Sequence, residues 1–300
     1  MTKLAAIDIG SNAIRLYIKD IDSVKKPYCP GNESPDDYFN RVAIRLGDDV
    51  YTSGFISIEK EKLLISSLKQ FRILMESHHV EEYRACATAS FRDAKNGVEV
   101  ATHIFEQTGI KVEIISGSEE VSLARRGFYT QYGAQHGDFL FCDVGGGSTD
   151  ICLCHNEKEI QSHSFAVGSM RMVNHSQKAE DLQQLTDILS QWKTLFQNPI
   201  HVIGSGGSIH KICQLFTDST VSDCVTVNNL CKLRDELAPL STEQKMERYH
   251  LKRDRAEIIV EAADIFIRIA QATDCSVIHA PVIGVRDGII ASFLQERGLL

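Results

Sequence analysis

Two glycine turns, each led by an aspartate at the end of an apolar strand, are the segments of this chain best suited to chemistry. The first reads Ile7-Asp8-Ile9-Gly10-Ser11-Asn12, and the second reads Cys142-Asp143-Val144-Gly145-Gly146-Gly147-Ser148-Thr149. Apolar residues resume after each, as Ile14-Arg15-Leu16-Tyr17-Ile18 and as Ile151-Cys152-Leu153. Strand, tight turn and returning strand describe a β-hairpin whose bare backbone N–H groups can converge on an anion. Two such hairpins at matching points of two similar halves suggest a duplicated fold that closes on a phosphate from both sides. Gly10, Ser11 and Asn12 would bind it in one half, and Gly145, Gly146, Gly147, Ser148 and Thr149 in the other. A third cluster, Gly204-Ser205-Gly206-Gly207-Ser208, stands between a strand and a helix expected over Ile209 to Phe216. There the helix N-terminus adds free amides and the positive end of the dipole. This cluster is neither a Walker A loop, for no Lys-Ser/Thr follows it, nor a good dinucleotide fingerprint.

Charged side chains accompany these turns. Asp8 and Asp143 end their strands inside the two bends. Facing each other across a cleft, they would hold a hard divalent cation, which takes oxygen ligands and keeps much of its water. The alternative is an aspartate that closes its own turn through the backbone; the symmetric placement favours the metal. Arg92 follows a strand end in Thr88-Ala89-Ser90-Phe91-Arg92 and could fork onto a phosphate, with Thr88 and Ser90 adding hydroxyl donors. It could equally pair with Asp93 or another carboxylate. Glu119 and Glu120 fall in the first turn of a helix opened by Ser116 or Ser118. Ser116 with Glu119 fits a capping box, which accounts for Glu119 and leaves Glu120 over. A carboxylate at a helix start is favoured in its ionised form, which suits a general base acting on water.

The elements that must position these groups alternate. Ser57 caps a helix expected to run to about Ser77, with Leu64, Leu68, Phe71 and Met75 on its apolar stripe. A strand over Val80 to Ala87, a helix from Gly97 to Thr108 closed by Gly109, a strand over Lys111 to Ile115 and a helix reaching about Tyr132 follow. The second half is expected to hold a hairpin over Asp138 to His155, a strand near Ile160 to Val167 and a helix from Ala179 to Phe196. One amphipathic helix then covers Arg255 to Thr273, and a last helix about Gly288 to Arg297. Lys25 to Asp37 holds three of the six prolines and reads as a loop. Such alternation implies α/β layers with mixed sheets. The boundary is expected near residue 125, giving lobes 1–125 and 126–300, with the last helix packing back on the first lobe.

Composition narrows the classes. A formal charge of −8 over 300 residues excludes a general nucleic-acid coat, though not a polyanionic small substrate. No apolar run approaches the length of a membrane span, and Asp8 interrupts the N-terminal apolar stretch before a signal peptide can form. Nine cysteines at irregular spacing point to reduced thiols and a cytoplasmic location, with Cys152 and Cys154 as core filler on one strand face.

Taken in order, these motifs resemble the exopolyphosphatase / guanosine pentaphosphate phosphohydrolase family, a branch of the actin-like ATPase-domain superfamily. The resemblance runs from residue 4 to about 294. It rests on the two Asp-led turns together with Ile44-Arg45-Leu46-Gly47, Thr88-Ala89-Ser90-Phe91-Arg92-Asp93-Ala94-Lys95-Asn96 and Ile114-Ile115-Ser116-Gly117-Ser118-Glu119-Glu120. Gly204-Ser205-Gly206-Gly207-Ser208, Arg255-Ala256 and Val285-Arg286-Asp287-Gly288 complete it. It implies two ribonuclease H-like (actin-like ATPase) lobes with mixed sheets and an active site in the cleft between them. It also implies magnesium, or manganese in its place, with release of terminal phosphate from inorganic polyphosphate or guanosine pentaphosphate. Glu120 falls on the family's base for the attacking water, and Asp143 on its magnesium carboxylate. Asp150 stands where the family usually has glutamate, and Val121-Ser122 where it usually has Ala-Arg. Both departures are expected to reduce activity or shift substrate; a catalytically weakened binder of polyphosphate or guanosine tetra- or pentaphosphate is the alternative. Larger members carry further C-terminal helical domains, so short polyphosphates and a homodimer are expected here.

Overall fold

A run of residues buried from Leu4 to Ile9 forms the first of eleven strands among the described residues, which in this computed structural model are 2–22, 37–196, 199–216 and 223–300. The chain divides into two compact units, 1–133 with 284–300, and 134–283. In the first, β1 (Lys3–Ile9) and β2 (Ile14–Asp20) form an antiparallel hairpin, and β3 (Tyr38–Val42) adds to its outer edge. On the other side β4 (Val80–Ala87) lies parallel to β1, and β5 (Val112–Ile114) parallel to β4, giving the order β3-β2-β1-β4-β5. Helices α1 (Leu46–Ser53), α2 (Ile58–Ser77), α3 (Ala89–Asp93), α4 (Gly97–Thr108) and α5 (Gly117–Tyr132) join these strands.

The expected caps are in place: the Ser57 hydroxyl accepts the Lys60 amide, and the Ser116 hydroxyl accepts the Glu119 amide at 3.1 Å. Leu64, Leu68, Phe71 and Met75 are the buried stripe of α2. The expected loop at Lys25 to Asp37 lies, apart from Asp37, outside the described residues.

The second unit repeats the scheme. Strands β6 (Asp138–Val144), β7 (Thr149–His155) and β8 (Lys158–Phe165) form an antiparallel meander. Then β9 (Ile200–Ser205) lies parallel to β6. With β10 (Cys224–Thr226) and β11 (Val277–His279) the order is β10-β11-β9-β6-β7-β8. Its helices are α6 (Ser169–Val173), α7 (Ala179–Trp192), α8 (Gly207–Leu215), α9 (Val227–Leu237), α10 (Thr242–Tyr249), α11 (Arg253–Ala256) and α12 (Ile259–Thr273). One continuous core joins Leu140, Val144, Ile151, Leu153 and Val202 of the sheet to Leu185, Ile212, Leu230 and Phe266 of the helices. Cys152 and Cys154 are buried on the opposite strand face with sulfurs 3.6 Å apart, as core filler.

Three boundaries differ from the sequence reading. A division near residue 125 would fall inside α5, which continues unbroken to Tyr132; the units part after Gly133, where the helix ends with φ at +71°. Residues 284–300 count with the first unit and not with a 126–300 lobe, while the expected packing of the last helix back on that unit is met: α13 (Val285–Glu296) packs through Ile289, Ile290 and Phe293 onto Leu4, Ala6 and Leu123. At Gly288 a Cβ would overlap the Leu123 carbonyl, so α13 and α5 meet backbone to backbone there. The long helix expected over 255–273 is interrupted at Ile258, and Arg255 belongs to the separate short helix α11. Among the described residues, no helix is long and apolar enough to cross a membrane.

Candidate functional site

The peptide plane dictates what the glycine turns can bind. A trans peptide points its C=O and the following N–H in opposite directions, so tying down the carbonyl aims the next amide the other way. In the second turn three successive carbonyls are tied. Gly145 accepts the Ser169 amide at 3.2 Å, Gly146 the Met170 amide at 2.8 Å, and Gly147 the Nε of Arg171 at 2.6 Å. The amides of Gly146, Gly147 and Ser148 are thereby turned together to the opposite side, the arrangement that makes an anion nest. All three anchors come from the start of α6. Gly168, just before it, lets the two segments close up: a Cβ there would collide with the Gly146 carbonyl.

The first turn is fixed in the same way by a different segment. The Ser11 carbonyl accepts the Gly47 amide and the Asn12 carbonyl the Arg45 amide, both at 2.9 Å, which turns the amides of Asn12 and Ala13 away. The Ser11 side chain has another task, since its hydroxyl lies 2.8 Å from the Tyr51 hydroxyl and is buried. Thr149 is likewise buried, donating to the Val167 carbonyl at 2.8 Å. Gly10, Ser11, Asn12 and Gly145 to Ser148 are thus placed as backbone donors or as the bends that present them.

Carboxylates sit at equivalent register positions beside both turns. Asp8 is directly opposite Arg15 across β1 and β2, and Arg15 Nη1 donates to its Oδ2 at 2.5 Å. Asp143 is directly opposite Asp150 across β6 and β7. The Ser205 hydroxyl donates to Asp143 Oδ2 at 3.3 Å, and the Ser148 hydroxyl to Asp150 Oδ2 at 2.7 Å. Opposed like charges in a buried strand pair repel unless a cation or proton intervenes. Two buried carboxylates with hydroxyls beside them are the hard oxygen set that suits magnesium. Asp8 fits that role less well, because its charge is already met by Arg15. Among the described residues no three His, Cys, Asp or Glu side chains converge as a metal centre.

At the third cluster, Gly204 and Ser205 end β9 and Gly206 turns the chain with φ at +105° into α8. Arg255 Nη1 donates to the Ser208 hydroxyl at 2.6 Å, and its Nη2 lies 2.5 Å from where a Gly207 Cβ would be. The break that separates α11 from α12 therefore leaves Arg255 lying along this helix start.

Arg92 and Glu120 are brought together. Arg92 Nη1 donates to Glu120 Oε2 and to the Ile115 carbonyl, each at 2.9 Å. Of the two uses expected of Arg92, this is the carboxylate pairing, with Glu120 as the partner. Thr88 and Ser90 do not serve as surface donors, for both are buried and the Thr88 hydroxyl points to the Ile9 carbonyl at 3.4 Å. The capping box at α5 is half formed: Ser116 caps, but Glu119 reaches Arg84 Nη2 at 2.7 Å.

Three contributors escaped the sequence reading, Arg15, Gly168 and Arg171, and Arg255 entered it only through the Arg255-Ala256 motif, with no role given. Only Arg15 left a signal, since a hairpin of this length puts it opposite Asp8.

Comparison with known proteins gives the family and the fold. The family model of the Ppx/GppA phosphatase family matches residues 39–297. Exopolyphosphatase 2 of Mycobacterium tuberculosis is 31% identical over 177 residues, covering 57% of this chain and 54% of that protein. Guanosine-5'-triphosphate,3'-diphosphate pyrophosphatase of Vibrio cholerae is 21% identical, covering 97% of this chain and 59% of its own length. The chain thus spans just over half the length of these curated relatives. Among solved structures, an exopolyphosphatase from Cytophaga hutchinsonii superposes with a TM-score of 0.83 at 20% identity, covering 98% of each chain. The Aquifex aeolicus member of the Ppx/GppA family gives 0.75 at 22% identity, covering 99% of this chain and 98% of its own.

Proposed function

We propose that this chain, which belongs to the Ppx/GppA phosphatase family, hydrolyses terminal phosphoanhydride bonds of inorganic polyphosphate, guanosine pentaphosphate or both. The observation that carries this reading is the run of anchored carbonyls at Gly145, Gly146 and Gly147, which presents three amides in a row beside the opposed Asp143 and Asp150. A terminal phosphate group, which carries up to two negative charges, is the ligand such a surface would accommodate.

Phosphoryl transfer asks little covalent chemistry of a protein; catalysis is mostly positioning and charge stabilisation. The reading assigns phosphate binding to the amides of the second unit, with Ser208 and Arg255 adding donors at the start of α8. Asp143 and Asp150 would hold magnesium, which supplies charge neutralisation for the phosphate oxygens when bound. In the first unit Glu120 takes the proton of the attacking water. Arg92, fixed by the Ile115 carbonyl, holds that carboxylate in one orientation. The Asn12 and Ala13 amides with Arg15 form the anion-binding surface of the first turn. The two relatives compared act, by their names, on polyphosphate and on a guanosine polyphosphate. Both substrates end in the same phosphoanhydride.

The test is phosphate release from tripolyphosphate and from guanosine pentaphosphate by the purified chain, with magnesium present and then chelated. Turnover that stops on chelation, and falls at least a hundredfold in Glu120→Gln, is expected. Tight binding of either ligand with no phosphate released would replace the enzyme by a binding protein.

A further inference from the structure

The two adjacent carboxylates at the start of α5 are each held by a different arginine. Glu120 is bonded to Arg92 at 2.9 Å, and Glu119 to Arg84 at 2.7 Å. Arg84 projects from β4 and is itself held by Glu113 of β5, whose Oε2 accepts from its Nε at 3.1 Å and its Nη2 at 2.9 Å. Successive residues on a helix point about 100° apart. Two bonds in directions that far apart, both to groups fixed on or just after one strand, leave the first turn of α5 no freedom to roll about its axis. A roll of that turn would swing Glu120 away from its place.

Local energetics do not account for this arrangement. A glutamate three residues after a serine N-cap ordinarily reaches back to the cap's own amide, closing a capping box. Glu119 instead extends to Arg84, although Ser116 has capped its amide. The Arg84, Glu113 and Glu119 side chains are 24%, 42% and 43% exposed, and ion pairs of that exposure contribute little to stability. What the cluster adds is direction.

We propose that Arg84, Glu113 and Glu119 form a clamp that positions Glu120: they never touch substrate, but they set the angle from which the base addresses the attacking water. The inference rests on Glu120 being that base, as argued above. Burial works against the charge on Arg84, but the hydrogen bonds it donates to Glu119 and Glu113 outweigh that cost and favour its cationic form.

The experiment measures kcat and KM for tripolyphosphate, with magnesium, on the full chain. The variants are Arg84→Met, Glu119→Gln, their double, Arg84→Lys and Glu120→Gln, each corrected for folded fraction. Displacing a positioned group by ~1 Å costs up to ~100-fold in rate, and a loosened helix turn should cost part of that. Each single clamp variant is expected to lower kcat about tenfold with KM within twofold. The double should be no worse than either single, because one unit has been broken twice. Arg84→Lys, which keeps a donor toward Glu119, should recover to within about threefold of the parent. Wild-type kcat in both single variants, multiplicative losses in the double, or a change confined to KM would each overturn the clamp. Glu120→Gln separates the premises. Full turnover in that variant removes the base and the clamp with it. An inactive Glu120→Gln beside fully active clamp variants removes the clamp alone.

Discussion

The two Asp-led turns are nearly the same object built twice. The Gly10 amide closes its bend on the Ala13 carbonyl at 3.1 Å, and the Gly145 amide closes its bend on Ser148 at 2.9 Å. A Cβ on either glycine would lie 3.3 Å from the carbonyl that closes its turn. Each turn has its carbonyls tied by a neighbouring segment, residues 45–47 in one case and 169–171 in the other. They differ at one register position. Opposite the aspartate, the first hairpin has Arg15 and the second has Asp150. One turn thus has an arginine of its own hairpin facing the aspartate, and the other has a second carboxylate there. On the function proposed above, this single cross-strand residue would separate a turn that takes an anion directly from one that takes it together with a metal ion.

Substitution of the aspartates probes that difference hardest. Asp143→Asn should lower turnover about 10³-fold, the scale of losing a principal transition-state charge contact, and excess magnesium should restore little of it. Asp8→Asn should cost about tenfold or less, since Arg15 stays in place to meet an anion. Equal losses in the two would mean that both turns hold the metal, and the comparison would fail. Next in size is Arg15→Gln, which should raise KM for a polyphosphate substrate about tenfold while kcat stays within threefold, the pattern of lost uniform binding. A fall in kcat with unchanged KM would instead make Arg15 part of the chemical step.

The clip that holds the second turn can be tested on stability alone. Gly168→Ala forces a Cβ onto the Gly146 carbonyl, and overpacking of that kind costs about 1–3 kcal/mol. Unfolding of purified protein in urea should show a lower midpoint with an unchanged slope. An unchanged midpoint would show that the segment before α6 is not tightly seated against the turn.

Local signals made much of this architecture legible. Ser57 and Ser116 announce helix starts because an N-cap hydroxyl serves an amide three residues on, within one window of sequence. Strand β4 could be placed at Val80–Ala87 because turn and strand composition change at both of its ends. The hairpins were readable because the aspartate, the glycines and the returning strand are contiguous. What escaped was side-chain pairing over distance. Arg84 finds Glu119 and Arg255 finds Ser208 only after the sheets have brought remote segments together. Arg171 works through its reach to a backbone carbonyl, which no side-chain pattern encodes. The break at Ile258 was hidden because apolar spacing continues through it, and only the backbone departs from helix. Arg92 shows the limit most clearly: its sequence neighbours left a phosphate, Asp93 or another carboxylate open, and only the fold singled out Glu120.

The smallest expected effect compares the strands that carry the turns. Each aspartate has a buried cysteine close by in the sheet: Cys86 is paired with Asp8 across β1 and β4, and Cys142 immediately precedes Asp143. Burial, against the opposing charge of Arg84, pushes the Cys86 thiol up to about 12, and burial likewise raises Cys142 well above its ordinary value. Only the thiolate is nucleophilic, so in the folded protein both should resist iodoacetamide at pH 8, where an unfolded thiol reacts. Labelling then proceeds only through opening of the strand that carries the cysteine, and its rate measures the stability of that strand. If the two hairpins are equivalent scaffolds that differ only in charge, Cys86 and Cys142 should be labelled at rates within about tenfold of one another. A much faster rate at Cys142 would mean that the opposed carboxylates weaken the second hairpin. Added magnesium should then slow labelling of Cys142 and leave Cys86 unchanged.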